Sequence, residues 1–163
     1  MKIVINAGHT KLGKGTGALG LLNESVETRK IACELMNLLA DTKHEIIPAI
    51  FDKSTNYLKE TVELANNKNA DLFISIHLNA GGGTGVECFT WKGQKLTKAV
   101  NICKNISALG FKNRSVKDGS HLYVIKNTKC KAILIECCFV DNQNDKNKYN
   151  AKEIAKAIFN AIK

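Results

Sequence analysis

A buried strand that ends in a histidine is the feature that most constrains the fold of this chain. Residues 71–80 read DLFISIHLNA, and their side chains alternate between two faces, with Leu72, Ile74 and Ile76 on one and Phe73, Ser75 and His77 on the other. Apolar residues on both faces are typical of a parallel strand that is covered on both sides by helices. Because α/β sheets bind ligands at the carboxyl ends of their strands, His77 is predicted to lie at a functional edge.

Strands and helices alternate along the rest of the chain. The predicted strands are residues 2–6, 45–50, 71–80, 85–91, 122–125 and 132–136, and the predicted helices are residues 24–40, 57–67, 95–109 and 151–162. Residues 111–120 are predicted to be a polar connection, and Pro48 predicts that the second strand lies at an edge of the sheet. The alternation indicates a single α/β domain over residues 1–163, with three αβα layers and a mostly parallel, twisted sheet.

The composition argues against several classes of protein. No apolar segment approaches the roughly 20 residues that cross a bilayer, so no membrane insertion is expected. The amino-terminal MKIVINAGH lacks the apolar core of a signal peptide, so synthesis in the cytoplasm without a signal peptide is expected. The six cysteines show no C-x-x-C spacing and lie mostly in apolar segments, which predicts reduced, buried thiols.

The net charge of +9 arises from scattered lysines and predicts attraction to a polyanion. Only 6% of the residues are aromatic, and no helix-turn-helix, zinc-finger or RNA-recognition signature is present, so no nucleic-acid partner is expected. Anionic lipids and anionic cell-wall polymers remain as candidate partners. Charge alone does not choose between them.

A glycine-rich loop follows the first predicted strand and partly matches two nucleotide-binding motifs. Residues 8–15 (GHTKLGKG) resemble a P-loop, but Gly15 stands where that motif requires Ser or Thr. Residues 15–20 (GTGALG) match the dinucleotide fingerprint but begin well beyond the strand that should precede them directly. Further glycines also oppose the helix that a phosphate-binding loop needs, so nucleotide binding is the weaker alternative.

Four polar residues are predicted to meet at one edge of the sheet. His9 follows the first strand, Glu24 opens the first helix, and His77 and Glu136 end later strands. Strand carboxyl ends and helix amino ends share one edge of a parallel sheet. Two imidazoles and one carboxylate are a ligand set for a catalytic zinc with one position open for water, and the second carboxylate is then available as a general base. Spacing alone does not choose between Glu24 and Glu27.

Five segments carry a resemblance to a known family. They are INAGH (5–9), NE (23–24) before a helix continuing to IA (31–32), LANNKNADLFISIHLNA (64–80), GVE (85–87) and LIECCFVDN (134–142). In this order the chain resembles the zinc-dependent N-acetylmuramoyl-L-alanine amidases, the type-3 family of peptidoglycan hydrolases found in bacterial autolysins and phage endolysins. The chain departs from the family pattern at Thr61, Lys131 and Cys138, where arginine, proline and glycine are usual.

The resemblance implies a ligand set and a reaction. His9, Glu24 and His77 correspond to the ligands of one Zn²⁺ per chain, which selects Glu24 over Glu27, and Glu136 corresponds to the catalytic glutamate. The implied activity is a bacteriolytic hydrolase that cleaves the amide between N-acetylmuramic acid and the L-alanine of the stem peptide. Bacterial peptidoglycan is the implied partner, with anionic wall polymers as a second.

Several further expectations accompany this assignment. The protein would act on the cell wall after release at lysis, or as the catalytic piece of a longer exported protein. Cys137 is predicted to point away from Glu136 into the core, and His44 and His121 to lie in exposed or rim positions. The rival hypotheses are a P-loop-like nucleotide enzyme and a basic, non-catalytic wall-binding module.

Overall fold

The computed structural model describes residues 1–163, which are built around one six-stranded sheet. The strands are β1 (Lys2–Ala7), β2 (Glu45–Ala49), β3 (Leu72–Asn79), β4 (Val86–Thr90), β5 (Asn113–Asp118) and β6 (Lys131–Phe139). The helices are α1 (Glu24–Leu39), α2 (Tyr57–Asn67), α3 (Thr97–Ser107), α4 (Tyr123–Asn127), α5 (Gln143–Lys148) and α6 (Ala151–Ile162). None of these helices has both the length and the apolar character that a bilayer crossing requires.

The strand order is β2-β1-β3-β6-β4-β5, and β4 and β6 form the one antiparallel pair. The predicted α/β class with a mostly parallel sheet is therefore confirmed. Pro48 lies in β2 at an edge, as predicted. The carboxyl ends of β1, β3 and β6 lie side by side, so the residues that end these strands meet at one edge.

The two faces of the sheet bury cores of different size. Helices α1, α3 and α6 cover a cluster of 29 buried residues, whereas α2 and α4 cover a cluster of 10 on the other face. On the second face the apolar positions end at Val4, Phe73 and Leu134, and the next side chains on that face are polar. The smaller layer thus leaves the carboxyl edge of this face free for a site.

Helix α1 begins at the same edge. Asn23 caps it, because its side-chain oxygen accepts a hydrogen bond from the backbone N–H of Val26 at 3.3 Å. The helix then buries Ile31, Leu35 and Leu39 against the sheet at a spacing of four residues. This cap places Glu24 in the first turn, directly over the ends of the strands.

Two predicted elements are wrong. Residues 111–120 contain the edge strand β5, whose polar sequence NRSVKD pairs only with β4 and so has no apolar alternation to reveal it. Residues 122–125 were expected to form a strand but belong to the short helix α4, because Val124 and Ile125 both pack into the smaller core. Cys33 is exposed, contrary to the expected burial of the thiols.

Candidate metal centre

His9 is held in an unusual backbone conformation directly after β1. Its φ is +67°, in the left-handed region that non-glycine residues seldom adopt. The backbone on either side is anchored: the Gly8 N–H donates to the Ile76 carbonyl at 2.8 Å, and Arg29 Nη2 donates to the His9 carbonyl at 3.3 Å. This strand-and-helix clamp turns the His9 imidazole over the sheet edge.

Three of the predicted site residues meet at that edge. One oxygen of Glu24, Oε1, lies 3.2 Å from His9 Nε2 and 3.1 Å from His77 Nδ1. The three ligand atoms all lie within 4.8 Å of one another. Glu24 is only 3% exposed, and its second oxygen accepts a hydrogen bond from the Ala18 N–H at 2.8 Å.

The hydrogen bonds of the two imidazoles leave lone pairs facing Glu24. His9 Nδ1 lies 3.1 Å from the Gly15 carbonyl, which can only accept, so the ring proton belongs on Nδ1. The Ser75 hydroxyl donates to Asn6 Oδ1 at 2.6 Å, so its oxygen accepts the Nε2 proton of His77 at 3.0 Å. For neutral rings, His9 Nε2 and His77 Nδ1 then present lone pairs to a carboxylate oxygen, an arrangement that calls for a cation between them.

The ionisation of these groups favours the ligand forms. Burial acts to raise the pKa of Glu24, but the neighbouring imidazoles of His77 and His9 outweigh it and hold the pKa well below its usual range. Burial lowers the pKa of His77, although Glu24 opposes the shift. A carboxylate and a neutral imidazole are the protonation states that bind a metal.

The donor set fits a zinc ion. Zinc bonds of about 2.0–2.1 Å at tetrahedral angles place two ligand atoms about 3.3 Å apart, close to the 3.1 and 3.2 Å separations at Glu24 Oε1. Glycines make room for the ligands. A Cβ on Gly8 would overlap the His77 imidazole, and a Cβ on Gly17 would lie 2.6 Å from Glu24 Oε2.

Glu136 lies beside this group. It is paired in register with His77 across β3 and β6, so the two side chains share a face. Its Oε2 is buried and has no hydrogen-bond partner. Burial, together with the charges of Glu24 and Glu87, raises the pKa of Glu136 to about 8. A half-buried carboxyl group without a hydrogen-bond partner, next to a set of metal ligands, is suited to exchange a proton with a bound molecule.

The alternative functional features that the sequence offered do not form a second site beside the histidines. Glu27 faces away from the histidines and bonds Lys30 Nζ at 2.9 Å and the Tyr149 hydroxyl at 2.8 Å, so the structure brings Glu24 to them instead. Cys137 is fully buried in the larger core, on the opposite face from Glu136, as predicted. No helix begins at Lys14, since α1 starts only at Glu24, so the loop lacks the helix amino terminus of a P-loop.

The other two histidines lie outside the site, as predicted. His44 is partly exposed and contacts the amino terminus, and His121 is exposed with its ring edge-on to Phe89. The residues that orient the ligands were not predicted from the sequence, although the strand positions of two of them, Ser75 and Asn6, indicate their role. Ser75 shares the face of His77 by strand alternation, and Asn6 lies opposite Ser75 in the register of β1 and β3.

Comparison with known proteins identifies the family of this chain. The model of the N-acetylmuramoyl-L-alanine amidase family matches residues 3–163. An uncharacterized 38.4 kDa protein of Clostridium perfringens is 36% identical over 93% of this chain and 47% of its own length. The N-acetylmuramoyl-L-alanine amidase CwlM of Bacillus licheniformis is 30% identical over 97% of this chain and 64% of its own length.

A solved structure shows the same fold. The catalytic domain of the CD27L endolysin targeting Clostridia difficile matches with a TM-score of 0.90 and 31% identity, over 99% of this chain and 96% of that domain. The chain spans about half to two thirds of the length of the curated relatives above. The family indicated by the sequence motifs is confirmed, and the chain belongs to the N-acetylmuramoyl-L-alanine amidase family.

Proposed function

We propose that this protein hydrolyses the amide between N-acetylmuramic acid and the L-alanine of the peptidoglycan stem peptide, using one zinc ion and Glu136 as general base. The observation that carries the proposal is the facing set of lone pairs on His9 Nε2, His77 Nδ1 and Glu24 Oε1, at 3.1–3.2 Å. A non-catalytic binding module would not need such a set beside the half-buried, unpartnered carboxyl group of Glu136. Family membership supplies the substrate class.

His9, Glu24 and His77 would hold the metal. Zinc with three protein ligands keeps one position for water and lowers the pKa of that water to about 7. The residues around the ligands fix their direction: the Gly15 carbonyl orients the His9 ring, and Ser75 orients the His77 ring. The chain therefore contributes a preformed site that needs little rearrangement when the substrate arrives.

Glu136 moves the proton in this mechanism. Its carboxylate takes a proton from the attacking water and returns it to the nitrogen of the departing L-alanine. The raised pKa of about 8 belongs to the protein without metal, and a divalent cation nearby lowers it toward neutrality. A base with a pKa near the working pH can both accept and return the proton.

The partners and setting belong to the same proposal. Residues 1–163 would form one catalytic domain that acts on the bacterial cell wall, as an endolysin or autolysin does. The net charge of +9 would hold it near anionic wall polymers. High salt should then weaken binding to whole walls without abolishing cleavage of a small, soluble muropeptide.

The experiment that tests the function is metal analysis combined with wall lysis. Purified protein should contain about one zinc per chain, lose lytic activity on chelation, and regain it when zinc is added back. Glu24→Gln should lose the zinc, whereas Glu27→Gln is the matched control that should keep it. Full activity in the chelated protein would overturn the metal mechanism, and protection against unfolding by a nucleotide would favour the P-loop alternative.

A further inference from the structure

Two cations converge on one buried carboxylate next to Glu136. Glu87 Oε2 accepts hydrogen bonds from Arg114 Nε at 2.7 Å and from Lys117 Nζ, and Glu87 Oε1 accepts one from Asn79 Nδ2 at 2.9 Å. Glu87 is 3% exposed; this burial acts to raise its pKa, but the hydrogen bonds and charges of Lys117 and Arg114 outweigh it and lower the pKa. The carboxylate of Glu87 therefore neutralises only one of the two cations, and the cluster of Glu87, Arg114 and Lys117 has one positive charge in excess.

A bulge in β5 makes this convergence possible. Val86 pairs with Asn113 and Cys88 pairs with Val116, so two residues of β5, Arg114 and Ser115, lie opposite the single residue Glu87. In a regular strand, Arg114 and Lys117 are three positions apart and would point to opposite faces. The extra residue lets both reach the same oxygen.

The bulge carries backbone strain. Ser115 has a φ of +71°, in the left-handed region that favours glycine. Strained residues of this kind and bulges both concentrate at functional sites, where they aim a side chain.

Arg114 still has donors to offer. Only its Nε is used by Glu87, and neither terminal nitrogen has a hydrogen-bond acceptor in the protein. The guanidinium lies 5.1 Å from the centre of the Phe139 ring, which fixes its plane, and its side chain is 28% exposed. A flat, anchored guanidinium with its outer edge free is the usual partner of a carboxylate.

The distance between this cluster and Glu136 is similar to the length of a short extended peptide. His77, Glu136 and Glu87 form one row across β3, β6 and β4, and Arg114 continues the row on β5. With about 4.8 Å between strands, Arg114 lies about 10 Å from Glu136 along the sheet. An extended peptide covers about 3.3–3.6 Å per residue, so two residues counted from the amide beside Glu136 cover most of this distance. The length of the Arg114 side chain spans the remainder, so its guanidinium can contact the second residue of the bound peptide.

We propose that Arg114 and Lys117 bind a free carboxylate on the second residue of the stem peptide. The inference rests on the proposed function, and it names the part of the substrate that this side of the site recognises. The surplus positive charge selects a substrate whose carboxylate is free over one in which that group is an amide. Glu87 holds the two cations in place and is a positioning residue.

The test uses two soluble muramyl dipeptides that differ only at the second residue, which carries either a free α-carboxylate or its amide. For the zinc-loaded wild type, kcat/KM should be about 10- to 100-fold higher with the free carboxylate, the range expected for a charged hydrogen-bonded pair. Arg114→Ala should remove most of this preference, and Lys117→Ala part of it. Lys112→Ala removes an exposed charge from the same segment and should leave the preference unchanged.

The outcomes separate the inference from the proposed function. Equal cleavage of both dipeptides by the wild type, or an equal loss on both in Arg114→Ala, would overturn the inference and leave the amidase intact. Cleavage of neither dipeptide by zinc-loaded protein would overturn the proposed function and the inference with it. Arg114→Lys keeps the positive charge beside Glu87 and controls for a folding defect in Arg114→Ala. It should retain the wild-type zinc content and unfolding temperature while losing part of the preference for the free carboxylate.

Discussion

Replacing Ser75 with alanine should weaken zinc binding without touching a zinc ligand. The Ser75 hydroxyl is fully buried and links two groups: it accepts from His77 Nε2 at 3.0 Å and donates to Asn6 Oδ1 at 2.6 Å. Without it, His77 loses the acceptor that keeps its proton on Nε2 and its lone pair on Nδ1. Loss of such an orienting partner lowers metal affinity by about 10- to 100-fold.

The same substitution should also destabilise the fold. It leaves a buried ring N–H and a buried amide oxygen without partners, and each unpaired group costs about 1–3 kcal/mol. The free energy of unfolding of metal-free protein should therefore fall by about 2–6 kcal/mol in Ser75→Ala. Since Ser107→Ala removes a side-chain hydroxyl that makes no hydrogen bond at the end of α3, it is the matched control and should change neither quantity.

The assay is competition for zinc between the protein and a chelator of known affinity, with denaturant unfolding measured on the same samples. A zinc dissociation constant within twofold of wild type in Ser75→Ala would refute the role assigned to this hydrogen bond. Loss of stability with unchanged zinc affinity would show that Ser75 supports only the fold.

Three further predictions follow from the same geometry. Gly8→Ala adds a methyl group against the His77 imidazole, so zinc binding should weaken by about 1–3 kcal/mol; unchanged zinc affinity by chelator competition would contradict the predicted clash. Arg29→Ala removes hydrogen bonds to the carbonyls of His9, Ser25 and Phe51 and to Asp52 Oδ1, and should lower both the unfolding temperature and zinc affinity; a loss of stability alone would restrict Arg29 to the fold. In metal-free protein the pKa of Glu136 is raised from 4.5 to about 8, so its contribution to stability is present below pH 4.5 and lost as the pH rises to 8. Denaturant unfolding of metal-free protein should thus show a steeper fall between pH 5 and 8 in wild type than in Glu136→Gln, and parallel curves would contradict the raised pKa.

The sequence predicted the central part of the fold well because its signals there are local. The strand 71–80 has apolar residues on both faces, and the helix 151–162 has its apolar residues at helical spacing, so both appear within a residue or so of their predicted limits. β5 and α4 escaped prediction for a physical reason. Each is short and is determined by its neighbours, β4 for the polar edge strand and the smaller core for the single-turn helix.

The candidate site divides in the same way. His9, Glu24, His77 and Glu136 could be named because strand ends and a helix start meet at one edge of an α/β sheet. The orienting hydrogen bonds and the cluster at Glu87 could not, because they depend on register. The row of side chains from His77 to Arg114 forms only because β6 lies between β3 and β4 in the sheet. The bulge at Ser115 could not be predicted because the residue with positive φ is a serine and not a glycine.

The most direct measurement is the release of N-terminal L-alanine from purified peptidoglycan by zinc-loaded wild type and Glu136→Gln. Both proteins should contain about one zinc per chain, since Glu136 is not among the ligands. The wild type should free the amino group of L-alanine without new reducing sugar ends, and Glu136→Gln should do so about 10²- to 10⁴-fold more slowly, the range for loss of a general base. Release of L-alanine by Glu136→Gln at the wild-type rate, or release of sugar ends in place of L-alanine by the wild type, would contradict the proposed mechanism.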